Sequence, residues 1–401
     1  MTKVKRIIDK NPGFKAIYLL YFAVVLLASL HKLYFTETPF NNFEIFRYSF
    51  YHLLQNNDPY LAYPEFYFDL FKYNPSFALL MAPFWHLPKS IGVIIWNLIN
   101  ALLPVFAIDR LKLETKEKVF FSLFILIEMI TSIQNAQSNG LMLGLMMLTF
   151  VFLEKNKPLY AAIVMLPGFF IKLFAAGVSL IAFLKPAPKT FILWSIILGV
   201  LIGLAPAMFI GFDGLLHQYQ SWLKLLATDK AHELNYSLMT FAERSLGIIL
   251  PHYFYLAGGL ILLLLPLIKI NNYKNTNWRM TYLSAILVWV VIFNHKAESP
   301  TFVIAMAGAA LWFIASGKNY FRLSMIIIVF IFTGLTATDL FPYEIRENFI
   351  KPFAIKVLPC IMLFIFILFD LLSGNFSGQV QNDDLGQKTA DENENADLIY
   401  K

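Results

Sequence analysis

Apolar residues fill most of this chain in long runs, and polar residues gather in the shorter stretches between them. The runs fall at about 15–34, 90–109, 118–133, 139–153, 158–171, 173–184, 190–211, 249–270, 280–294, 300–316, 320–338 and 352–372. Many reach or approach the roughly 20 residues that a helix needs to cross a bilayer. A backbone in hydrocarbon must satisfy its own hydrogen bonds, so such runs are expected to be helices. The pattern therefore predicts an all-α, polytopic integral membrane protein of about 12 spans, forming a single unit over residues 1–372. Residues 373–401, rich in Asn, Asp, Gln, Gly and Glu, read as a disordered cytoplasmic tail.

Two polar connections are too long to be simple turns, 35–75 and 212–248. Loops beyond roughly 15 residues are usually functional or disordered. The first carries Glu37, Glu44, Asp58, Glu65 and Asp69 among many Phe and Tyr residues, too aromatic a mixture for disorder. Within it, Phe43, Phe46, Phe50 and Leu54 recur at three- and four-residue spacing, which predicts an amphipathic helix opening at Asn41 and running to about Gln55. The dozen residues 76–87, bounded by Pro75 and Pro88, are too short to span and read as re-entrant or interfacial.

Composition agrees with lipid as the solvent: 58% of residues are hydrophobic and 14% charged, against about 25% charged in soluble domains. The net charge of +6 does not point to nucleic acid, because the cations recur at alternate loops. Placing the N-terminus in the cytoplasm puts 20 of the 32 Lys and Arg residues on the inner side, as the positive-inside rule expects. It also gathers 35–75, 134–138, 212–248, 295–299 and 339–351 on the outer face. The basic N-terminus has no small-residue cleavage site, so the first run is expected to stay as a helix. The single cysteine, Cys360, excludes an intramolecular disulfide.

Phosphate-binding GxxxxGK[ST] and GxGxxG loops, HExxH and GxSxG are all absent, which argues against an ATP-driven pump or a zinc or serine hydrolase. What remains is a set of polar residues at outer helix ends, each with a plain alternative. Glu44 can deprotonate a hydroxyl or merely cap a helix start. Asp58 lies in an Asn-Asp-Pro-Tyr turn, and Asp69 precedes a pairing partner, Lys72, by three residues. Gln137 and Asn139 suit a sugar or a tight polar turn. His295, Lys296 and Glu298 pack an imidazole, a cation and an acid between two apolar runs, where ionisable groups are costly and usually functional. Lys172 and Arg244 can each hold a phosphate oxygen, or else snorkel or pair locally. Glu128 faces either hydrocarbon or a cavity.

Taken in order, these elements resemble glycosyltransferase family 87, polytopic enzymes of the GT-C class. The resemblance runs from about residue 38 to 310 through Asn42-Phe43-Glu44, Asn57-Asp58-Pro59-Tyr60, Tyr73-Asn74-Pro75, Leu87-Pro88 with Trp96 and Asn100, Ala136-Gln137-Ser138-Asn139, Lys172, and Asn235, Ser237, Leu238 and Arg244. It implies a GT-C-like fold with a large first extracytoplasmic loop. It also implies transfer of a hexose, often mannose, from a polyprenyl-phosphate sugar to a lipid or glycan acceptor. The reaction would lie on the outer face of a bacterial plasma membrane, with both termini cytoplasmic and no metal or other cofactor. One departure stands out: Asn42 occupies the place of the family's Asp, and an amide cannot take a proton. Glu44 is then the first choice for the base, with Glu298 and Asp69 behind it. Lys172, Arg244 and Lys296 would hold the donor phosphate, and Asn42, Asp58, Gln137, Asn139 and His295 the sugar or acceptor. The rival readings are a transporter or flippase of lipid-linked glycans, which expects inverted repeats, and a non-catalytic membrane scaffold.

Overall fold

The computed structural model describes residues 12–37, 40–228 and 235–374. The expected cytoplasmic tail lies almost entirely outside them. Among the described residues every regular element is helical. Helix α1 (Pro12–Phe35) leads to α2 (Asn41–Leu54) in the first connection. Two short helices follow, α3 (Pro75–Leu80) and α4 (Ala82–Trp85), on the stretch expected to be re-entrant or interfacial. Then come α5 (Lys89–Arg110), α6 (Thr115–Gln134), α7 (Asn139–Glu154) and α8 (Pro158–Ile171). A long 3-10 segment (Leu173–Leu184) precedes α9 (Pro188–Leu204) and α10 (Ala207–Thr228). The chain closes with α11 (Leu238–Leu246), α12 (His252–Leu264), α13 (Thr276–Ile292), α14 (Phe302–Ala315), α15 (Tyr320–Val329) and α16 (Leu358–Ser373).

The centre is the α13/α14 hairpin. From Trp278 to Ile292 every residue except Trp289 is buried, and along α14 every residue except Ile314. A helix that is apolar all round belongs inside a bundle or in lipid; these two are wrapped by α6, α16 and the 3-10 segment. Helices α9 and α12 are equally apolar but face outward. Only Phe191 is buried on α9, while Leu193, Ile196, Val200 and Leu201 stand exposed. An exposed apolar belt of this kind is a surface for lipid.

The expected apolar runs are largely helical among the described residues, but 190–211 crosses a sharp bend and fewer helices than expected are long enough to cross alone. Among the described residues, Gly13–Phe35, Lys89–Arg110 and Ile355–Ser373 qualify by length and composition, and six other apolar helices are shorter. Lys172, Pro266 and a π-turn at Phe330–Gly334 break the longer apolar runs into pieces. The second long connection also differs from a loop. Beyond Pro206 the chain bends by 92° between α9 and α10. A non-helical Gly211 (φ 68°) kinks α10, and beyond it the helix runs to Thr228 with Leu215, Gln218 and Trp222 buried on one side. Those positions recur at helical spacing through the polar residues, so the segment is an amphipathic helix turned off the bundle axis.

Close approach of α7 to α5 depends on Gly140. A methyl group there would clash with the Asn100 carbonyl oxygen. Gly140→Ala is expected to destabilise the bundle by about 1–3 kcal/mol or more, read as a lowered melting temperature.

Candidate active site

The turn between α6 and α7 is built to present polar side chains. Asn135 and the left-handed Ala136 (φ 46°) reverse the chain within a few residues. That backbone is costly for a non-glycine residue, and three outside groups hold it. The Trp96 indole N–H donates to the Ala136 carbonyl (3.0 Å), Asn42 Nδ2 to the Asn135 carbonyl (2.9 Å), and Leu141 N–H to Asn100 Oδ1 (2.9 Å). Gln137 and Asn139 are left buried beside one another at the start of α7.

From these two amides a hydrogen-bonded chain runs both ways. Gln137 Nε2 donates to Glu298 Oε2 (2.8 Å), and Asn139 Nδ2 reaches Gln137 Oε1 (3.5 Å). On the other side Lys172 Nζ donates to Asn139 Oδ1 (2.6 Å). Lys172 can do so because α8 stops there: its backbone is extended (φ −142°, ψ 116°) before the 3-10 segment begins. Three stretches far apart in sequence thus join an exposed carboxylate to a half-buried cation.

The Glu298 turn is fixed from beneath. Tyr236 N–H donates to the Ala297 carbonyl (2.8 Å), and Lys296 N–H to Asn294 Oδ1 (3.0 Å). The His295 ring stacks on His252 at 5.0 Å. Lys356 Nζ donates to Ser299 Oγ (2.6 Å) while forming an ion pair with Glu128 Oε1 (2.7 Å). Both side chains are almost completely buried, which resolves the sequence ambiguity at Glu128: it faces the protein interior. Ion pairs of this depth hold together only when geometry and extra hydrogen bonds compensate desolvation.

The first connection covers this region. Burial pushes the Tyr73 hydroxyl above its ordinary range, and the nearby carboxylates of Glu298 and Asp69 add to the shift. Asp69 has a left-handed backbone (φ 69°), accepts from Leu70 N–H and pairs with Lys72 at 3.0 Å. Glu44 sits elsewhere, 12% exposed, between Lys89 (2.7 Å) and Arg47 (3.7 Å). Asp58 accepts from Tyr60 N–H within its own turn. Arg244 ends α11 close enough to Tyr236 for its charge to act on that hydroxyl. Of the residues singled out from sequence, Gln137, Asn139, Lys172 and Glu298 therefore converge. Asp58 is engaged within its own turn, Glu44 is held by Lys89 and Arg47, and Asn42 braces the Asn135 turn that presents Gln137. Lys356 and Ser299 were missed, because their partnership spans 57 positions and leaves no local pattern.

Below Tyr73, α2 carries an aromatic box around His52. The imidazole stacks on Tyr63 at 3.8 Å and meets the Tyr67 hydroxyl at 3.3 Å. Burial lowers its pKa to about 4, with Glu65 opposing. Because the folded value lies below the unfolded 6.5, the box is fully stable above pH 6.5 and weakens as pH falls toward 4. Allowing for solvent screening, the loss is about 1–2 kcal/mol, measurable as faster amide exchange along α2. His52→Phe should remove the pH dependence.

Comparison with known proteins agrees with the direction of this geometry. The model of glycosyltransferase family 87 matches residues 71–338, well over half of the chain. No curated protein matches it. The matched stretch contains Gln137, Asn139, Lys172, Arg244 and Glu298; Asn42, Glu44, Asp58 and Asp69 precede it, and Lys356 follows it. The chain belongs to glycosyltransferase family 87, and with its apolar helices this makes it an integral membrane glycosyltransferase.

Proposed function

We propose that the protein transfers a hexose, with mannose the first candidate, from a polyprenyl-phosphate sugar to a lipid or glycan acceptor. The reaction takes place at the outer face of a bacterial plasma membrane, with both termini in the cytoplasm. The observation that carries this reading is the chain Glu298–Gln137–Asn139–Lys172, which couples an acid to a cation through two amides. An exposed carboxylate can take a proton from a hydroxyl. A lysine at a helix break can neutralise a phosphate as a point charge.

In this mechanism Glu298 takes the acceptor's hydroxyl proton as that oxygen bonds to the anomeric carbon. The bond from the anomeric carbon to the phosphate oxygen breaks, and the polyprenyl phosphate leaves with the electron pair. Lys172 stabilises the departing charge, with Lys296 and Arg244 behind it. Gln137, Asn139 and His295 bind sugar hydroxyls and keep the ring oriented. Asp69 is the alternative base, favoured by its charge acting on the same Tyr73 hydroxyl as Glu298. Glu44 ranks third, since Lys89 and Arg47 already hold its carboxylate.

The test is transfer by the purified protein in liposomes, offered polyprenyl-phosphate mannose or a soluble nucleotide sugar. Label is expected to move only from the lipid donor. Transfer from the nucleotide sugar alone would overturn the donor assignment, and movement of lipid-linked glycan without transfer would favour a flippase.

A further inference from the structure

Helices α5 and α7 carry the candidate active site near their N-terminal ends. A different cluster lies at their C-terminal ends, roughly 25–30 Å away at 1.5 Å per residue. Arg110 ends α5, Lys112 follows it, and Lys155 and Lys157 follow the end of α7. Arg110, Lys112 and Lys155 line a notch of about 30 Å³ together with Glu154, Thr276 and apolar side chains that include Leu111 and Phe150. The nearby acids are already engaged. Glu154 takes two hydrogen bonds from Arg279 (both 2.6 Å) and pairs with Lys185, and Asp109 pairs with Lys118 at 3.6 Å. None of the four cations has a carboxylate partner among the described residues. Arg110 Nε is buried there without any hydrogen-bond partner. Burial lowers the Lys155 pKa, and repulsion from Arg110, Lys157 and Lys112 lowers it further, so the charges do converge.

Converging cations with spent counter-ions and a buried, unsatisfied guanidinium donor make a receptor for an anion. The notch has room for about one or two water-sized groups, so it fits phosphoryl oxygens and not a whole soluble metabolite. Apolar surface lies alongside. Arg110 sits 4.6 Å above the Phe106 ring and Lys157 5.7 Å above Tyr160, and these rings are 38% and 53% exposed. We infer that this notch binds the phosphoryl headgroup of an anionic phospholipid in the leaflet opposite the active site, its acyl chains lying against the ring-bearing faces of α5 and α8. Basic pockets between membrane helices recognise such headgroups by this combination.

The test uses the full-length protein in nanodiscs of phosphatidylcholine, with or without phosphatidylglycerol. Retained lipid is counted by native mass spectrometry, and the melting temperature is recorded. The wild type is expected to retain phosphatidylglycerol through delipidation and to melt higher in its presence. Arg110→Gln/Lys112→Gln/Lys155→Gln should bind it about 100-fold more weakly, at about 1 kcal/mol per cation. Lys224→Gln/Lys269→Gln/Lys318→Gln, which removes equal charge elsewhere, should behave as the wild type. Equal retention by the two triple variants overturns the site. An equal rise in melting temperature from inorganic phosphate alone overturns the lipid as its source.

Discussion

Glu298→Gln is expected to lower sugar transfer by about 10²–10⁴-fold, the range for loss of a general base. The amide keeps the shape of the side chain and can still accept from Gln137 Nε2, so the turn and the Gln137–Asn139–Lys172 chain should persist. What disappears is the proton acceptor. The loss should therefore fall on kcat, with the donor KM little changed, because the interaction removed belongs to the transition state. Glu44→Gln should cost far less, since it mainly loosens a partly exposed ion pair with Lys89. An unaltered kcat in Glu298→Gln, with a collapse in Asp69→Asn, would hand the role to Asp69.

The second large effect concerns stability. Lys356→Met leaves the Glu128 carboxylate buried, where its Oε2 has no hydrogen-bond partner even in the intact protein. Glu128→Leu leaves the Lys356 ammonium equally stranded. Each single change is expected to cost about 3–5 kcal/mol, whereas the double variant should recover most of that loss. Activity should not recover with it. The double variant still lacks the Lys356 bond to Ser299 Oγ, so the residue next to Glu298 is no longer tethered and kcat stays low. Melting curves and transfer rates on the four proteins decide the matter. Additive destabilisation would mean the two charges act independently, and full activity in the double variant would mean the tether is irrelevant.

These two results probe different levels of legibility. The helices were visible because lipid imposes a coarse rule: long apolar runs must form helices. The α2 helix was visible because Phe43, Phe46 and Phe50 repeat at helical spacing, and all three are buried. Crossing length was less legible. A hydropathy run does not show that the backbone becomes extended at Lys172 or bends by 92° beyond Leu204. At the site, Gln137, Asn139, Lys172 and Glu298 stood out because polar groups interrupt apolar sequence, and they converge. Glu44 stood out as an acid near a helix start, two residues after Asn42, yet its neighbour in space is Lys89, 45 positions away. Sequence marks a charge as unusual but does not say which opposite charge will neutralise it. The Glu128–Lys356 pair shows the same limit at a separation of 228 positions.

The most direct measurement of the central claim is a structure with a polyprenyl-phosphate hexose bound to the Glu298→Gln protein. The account predicts the phosphate at Lys172 and the sugar ring against Gln137 and Asn139. The anomeric carbon should lie where an acceptor oxygen about 3–3.5 Å away would also reach residue 298. A donor seated with its phosphate away from Lys172, and its anomeric carbon facing Glu44 or Asp69, would contradict it.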